Sequence, residues 1–291
     1  MSTHRIKSGG YEAVVVNEGA GLAALTHDGR DLILSYDLDE RPAGFNGKVL
    51  IPWPNRIKDA VYRFNGHEYT VEMTEPARNC ALHGLKCWDE WDTVAVTNDS
   101  VTLKTITEPT SGYPFRLETV VTYRLSADSG IDIEVTTTNI GDSPAPYGTG
   151  THCYLTCDGG LADECVLTLP AADVLTVDQN LIPVGRASVQ SERLDFEEGS
   201  LIGQTQIDHA FTSLPSGEWS VTLSHPGSGM TIALSSDEDW VQVFSGDNQG
   251  RRGVAVEPMT CAPNAFNSGE GLVVLAQGES NTHRLSISEL V

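Results

Sequence analysis

Short apolar runs separated by turn residues fill almost the whole chain, and few of them have the period of a helix. Ile131, Ile133 and Val135, continued by Thr137, alternate with Asp132, Glu134 and Thr136. This is the period-two pattern of a strand with one wet face. Runs rich in Val, Ile and Thr predict further strands at Tyr11–Val16, Asp31–Tyr36, Thr93–Val96, Val101–Ile106, Arg116–Leu125 and Ile131–Asn139. Towards the C-terminus the same pattern predicts Val166–Leu169, Trp219–Ser224, Met230–Ser235, Trp240–Ser245 and Thr282–Ser288. Val61–Phe64 and His67–Val71 flank Asn65-Gly66, the dipeptide that best supplies the positive φ angles of a tight hairpin. Only Ser191–Glu198 suggests a short helix. With no linker, low-complexity tract or clear repeat, the pattern predicts an all-β fold: one large antiparallel β-sandwich domain over residues 1–291.

Composition narrows the classes of partner. Of 291 residues 40% are hydrophobic, enough for a sizeable core without metals or disulfides. The net charge of −22, from 18 Lys plus Arg against 40 Asp plus Glu, argues against nucleic acid as a partner. No apolar run is long enough for a membrane-spanning helix, and the N-terminus lacks the apolar stretch of a signal peptide, so a cytoplasmic protein is expected. The six cysteines form no Cys-x-x-Cys pair. Cys153 and Cys157 beside His152 match no zinc spacing, and free thiols are expected.

Candidate chemistry sits in five short motifs. In Val254-Ala255-Val256-Glu257-Pro258 a buried strand is expected to end at the proline, with Glu257 held at its tip. Apolar neighbours there would raise the proton affinity of the carboxylate, as a general base requires. Pro54-Asn55-Arg56-Ile57 offers an amide and a rigid guanidinium fork suited to hydroxyls or an oxyanion; an Arg that only ties loops together is the other reading. Trp53 beside them could stack on a sugar face, or be buried. Leu82-His83-Gly84 places an imidazole where glycine allows close approach. Thr151-His152-Cys153-Tyr154, on a strand, puts His152 and Tyr154 on one side. Asp208-His209-Ala210-Phe211 offers a carboxylate for two hydroxyls or for capping a turn.

In this order, with the Tyr62–Tyr69 hairpin and Gln277-Gly278-Glu279, these motifs resemble the aldose 1-epimerase (galactose mutarotase) family, specifically its bacterial aldose-1-epimerase-like branch. The resemblance runs from about Gly10 to Ser288. It implies a galactose mutarotase-like supersandwich that interconverts the α and β anomers of free aldoses with neither metal nor organic cofactor. By the same resemblance Glu257 is the general base and His152 the general acid. His83 binds substrate and supports the acid, while Arg56 and Asp208 hold hydroxyls with Asn55 beside them. The implied partner is a small sugar, and the implied assembly a monomer or homodimer. Cys153-Tyr154-Leu155 and Trp53-Pro54 depart from the galactose-active members, which opens the question of sugar preference. Arg251-Arg252 raises a hexose-6-phosphate 1-epimerase as an alternative. A sugar-binding protein without catalysis is another, and a glycoside hydrolase using Asp208 and Glu257 a third.

Overall fold

Strand pairing follows the period-two pattern. The structure, a computed structural model, describes residues 2–290. Nine antiparallel strands form the larger sheet, in the order Asp92–Val96, Ser100–Thr107, Leu117–Ser126, Gly130–Asn139, Ser280–Glu289, Met230–Ser236, Trp219–His225, Val166–Thr168 and Ser200–Leu201. The long run read from alternation pairs Ile131, Ile133 and Val135 with Ile287, Leu285 and His283, so inward positions meet inward positions along the register.

The second sheet has eight strands. Pro183–Ser188, Asp173–Val177, Asp208–Thr212, Trp240–Phe244, Val254–Met259, Gly150–Thr151 and Val49–Leu50 run edge to edge, and Cys153–Leu155 also pairs with Val254–Met259. A four-stranded sheet from Thr3–Ser8 to Arg30–Asp31 covers the N-terminal side. The sandwich core joins the two large sheets: Val121, Val135 and Ile287 from one share a hydrophobic cluster with Val241, Val243, Val254 and Val256 from the other. The two α-helices among the described residues are single turns, Val189–Glu192 and Ala265–Ser268. The expected helix over Ser191–Glu198 is thus shorter and begins earlier.

Two expectations fail for instructive reasons. Asp31–Tyr36 is not a strand. Only Arg30–Asp31 pairs with Gly21–His27, and Ile33 touches Leu155 through an isolated bridge. Its apolar residues are there for burial: Leu32 and Ile33 are fully enclosed. The strand carrying Glu257 does not stop at Pro258 either. It runs to Met259, with Val241 opposite Pro258 and Gln242 opposite Glu257. On the other flank the ladder is broken at His152, whose N–H donates to the Lys48 carbonyl and whose carbonyl accepts from the Gly47 N–H. A proline costs least where the neighbouring strand makes no continuous ladder.

Candidate active site

Alternation in the eight-stranded sheet sorts side chains to two destinations. Val241 and Val243, Val254 and Val256, Cys153 and Leu155 enter the core. Their neighbours in sequence, Gln242 and Phe244, Glu257, His152 and Tyr154, line a cavity of about 350 Å³ on the opposite face. Gly44, Phe45, Asn55, Arg56, His83 and Asp208 complete its wall with Glu75, Arg78 and Asp247. The six residues to which the resemblance gives site roles, Asn55, Arg56, His83, His152, Asp208 and Glu257, therefore all line this cavity. A larger groove of about 530 Å³ crosses the nine-stranded sheet; it gathers none of them, and its Arg284 pairs with Glu134 at 3.0 Å.

At the centre His152 Nε2 lies 3.2 Å from Glu257 Oε1. Burial, reinforced by the negative charge of Asp208, raises the Glu257 pKa well above the usual carboxylate range. Burial also lowers His152 to about 3. Burial thus favours the neutral forms, an acid beside a neutral imidazole, and the pair holds one transferable proton. Two enclosed atoms of this pair, His152 Nδ1 and Glu257 Oε2, have no partner. Buried polar atoms are rarely left so, and their free capacity suits a polyhydroxylated ligand. Tyr154 stacks on His152 at 5.1 Å between centroids, as their shared strand face requires.

His83 stands beside His152, ring centroids 5.2 Å apart, with the edge of Phe45 against it at 4.7 Å. Its placement depends on Gly84: a Cβ there would lie 2.0 Å from the Ile51 carbonyl oxygen, so only glycine lets the two segments touch. Burial first, then the neighbouring His152 and Arg56, lowers His83 well below its usual pKa. His83, His152 and Glu257 offer ligand atoms within 4.8 Å of one another, the one such group among the described residues spaced to hold a metal ion.

Arg56 is less free than the sequence suggests. Its Nε and Nη2 both donate to Glu75, at 2.7 and 3.0 Å, so much of the fork is already engaged. Asp208 accepts from Gln242 Nε2 at 2.7 Å, and burial raises its pKa. The Asn55 amide oxygen accepts the Arg56 N–H at 2.9 Å and so serves the local backbone. Of the Arg251-Arg252 pair, Arg251 is already engaged, donating to Asp163, to Asp247 at 3.0 Å and to the Gly203 and Thr205 carbonyls, and neither arginine lines the cavity. Trp53 is a core residue packed edge-on against Phe266. All six cysteines are free and buried. Glu75 and Gln242 escaped the sequence reading. Gln242 could have been found from the register that sets it opposite Glu257; Glu75 carries no local signal.

The family model described as aldose 1-epimerase matches residues 2–288. A protein of Escherichia coli K12 called YihR, itself uncharacterized, is 43% identical over 283 residues, 97% of this chain and 91% of its own. A maltose epimerase of Levilactobacillus brevis is 24% identical over 258 residues, covering 79% of this chain and 75% of the relative. Among solved structures, the GalM/aldose epimerase homologue from C. elegans superposes with a TM-score of 0.89 at 22% identity, with full coverage of both chains.

Proposed function

Since the chain belongs to the aldose 1-epimerase family, we propose that it interconverts the α and β anomers of a free aldose by general acid/base ring opening and closure. The observation that carries this reading is the buried contact of 3.2 Å between Glu257 and His152 in a cavity lined with polar side chains. Ring opening of a hemiacetal removes the proton of the C1 hydroxyl and delivers one to the ring oxygen. Glu257 takes the first, and the imidazole of His152 supplies the second. Rotation about C1–C2 and reclosure run both transfers backwards.

The proton inventory supports these roles. The neutral pair, carboxylic acid plus imidazole, and the working pair, carboxylate plus imidazolium, contain the same number of protons. One transfer across the 3.2 Å contact converts one into the other. Sugar hydroxyls that donate to the buried carboxylate favour its charged form. Each carrier is then worth roughly 10²–10⁴ in rate. Asp208 and the part of the Arg56 fork left by Glu75 hold hydroxyls, and Gln242 fixes Asp208 through its 2.7 Å bond.

Polarimetry on freshly dissolved α-D-glucose and α-D-galactose, with hexose 6-phosphates and other aldoses as a wider panel, tests the reading. Wild type is expected to hasten the drift to equilibrium. Glu257→Gln should lower kcat by about two orders of magnitude or more, with its circular dichroism unchanged. Near-normal turnover in that variant would remove Glu257 as the base. Silence of the wild type across the panel, with sugar still bound, would identify a binding protein instead.

A further inference from the structure

We propose that Asn55 is a positioning residue: its backbone N–H fixes the tautomer of His83, so that His83 faces the cavity only as a hydrogen-bond donor at Nε2. The clasp between the two residues is reciprocal. His83 N–H donates to the Asn55 carbonyl at 2.9 Å, and Asn55 N–H donates to His83 Nδ1 at 3.2 Å. A backbone N–H can only donate, so Nδ1 must present its lone pair. The proton of the neutral ring then resides on Nε2.

The geometry that aims this N–H is specific to Asn55. Its φ is +54°, in the left-handed region, and that of His83 is +59°. Asn visits this region more readily than most side chains do. Its own amide oxygen closes the turn by accepting the Arg56 N–H at 2.9 Å. Phe45 and His152 pack on the ring, and the Cys87 thiol donates to the His83 carbonyl at 2.9 Å, so the residue is held from several sides.

Two consequences follow for the chemistry. A neutral imidazole with a fixed Nε2–H can stabilise the negative charge that grows on a sugar oxygen, yet it does not give up its proton. His83 and His152 therefore divide the work: the first donates a constant hydrogen bond, and the second moves the proton. The same tautomer opposes metal binding, because Nε2 can ligate only after its proton moves to Nδ1, where it would meet the Asn55 N–H. The trio with ligand atoms within 4.8 Å thus has metal spacing without a free lone pair on His83.

Long-range ¹H–¹⁵N correlation on the labelled protein reads the tautomer directly, with His83→Gln assigning the signals. Wild type should show His83 Nδ1 unprotonated and Nε2 protonated through neutral pH. Asn55→Gly keeps both the N–H and the positive φ, so the tautomer should persist. Asn55→Val resists positive φ. It should mix the tautomers and lower kcat by about 10–100-fold, with a much smaller change in KM. A wild-type proton on Nδ1 would overturn the proposal without any variant. So would an Asn55→Val protein that loses turnover with its tautomer unchanged. Only the kinetic arm rests on the epimerase reading. The expected wild-type tautomer with no turnover of any aldose would sink that reading and uphold the clasp.

Discussion

Glu257 is 2% exposed, and burial raises its pKa before any neighbour is counted. That shift has a cost in stability. A group whose folded pKa lies above its unfolded value contributes fully below the unfolded pKa, near 4.3 for a glutamate, and progressively less as pH rises towards the folded value. At pH 7 the unfolded chain releases this proton freely, whereas the native state must keep it or bury a charge. Glu257→Gln retains the shape and removes the titration. The variant should melt about 1–2 °C above wild type at pH 7, the shift expected for roughly 1 kcal/mol in a chain of this size. Near pH 4 the two should converge. Thermal melts at both pH values decide it: a variant less stable than wild type at pH 7 would mean that the carboxylate is solvated or paired in the native site. The expected pattern, more stable but inactive, is that of a residue held against its own preference for the sake of chemistry.

The strands and loops show how far a sequence discloses its elements. Asn65-Gly66 gave its hairpin away, because both residues sit at positive φ, +49° and +80°, a requirement of the turn itself. The alternation at 131–139 likewise reflects one wet face and one dry one. Leu32 and Ile33 are buried and bonded piecemeal, the Leu32 N–H to the Leu25 carbonyl and Ile33 through a lone bridge to Leu155, so they read as a strand without forming a continuous ladder. Pro258 misled in the opposite sense: the rule that proline ends a strand depends on a neighbour that needs its N–H, and the break at His152 lies far away in sequence. His83, His152, Asp208 and Glu257 were weak signals one by one; their order along the chain, which resembles the family's, marked them out. Glu75 did not stand out, since its meaning lies in Arg56, on a different segment. Glu75→Gln tests that bond between segments. The Arg56 and Glu75 side chains are only 10% and 20% exposed, so a charge left alone there is poorly solvated. Urea unfolding should show a loss of about 2–3 kcal/mol, less than for a fully buried pair. The sugar KM should rise as Arg56 drifts from its place. Unchanged stability would show that Asp208, which already acts on Arg56 through its charge, takes over as partner.

On the scale of the whole molecule the largest unbalanced quantity is charge, −22 over 291 residues. Two effects of salt compete. Exposed ion pairs such as Lys7–Glu12, Arg63–Glu68 and Arg284–Glu134 are screened by salt, which removes stability. Each is worth only about 0–1 kcal/mol to begin with. General repulsion among the excess carboxylates is screened too, which restores stability. It involves many more partners, and it is strongest in the compact state where they are closest. As the screening length falls from about 10 Å at 0.1 M to about 3 Å at 1 M, repulsion across the surface fades along with the pairs. The excess of acids should win: between 20 mM and 0.5 M NaCl the melting temperature should rise by about 3–6 °C. Potassium chloride should act equally, because the effect is screening and not a bound ion. A fall in melting temperature with salt would mean that the ion pairs dominate. A rise with one cation and not the other would point to a specific cation site among the carboxylates. The buried pair of Glu257 and His152 lies outside this balance, since screening reaches enclosed charges far less. Turnover per folded molecule should therefore change little over the range in which stability climbs.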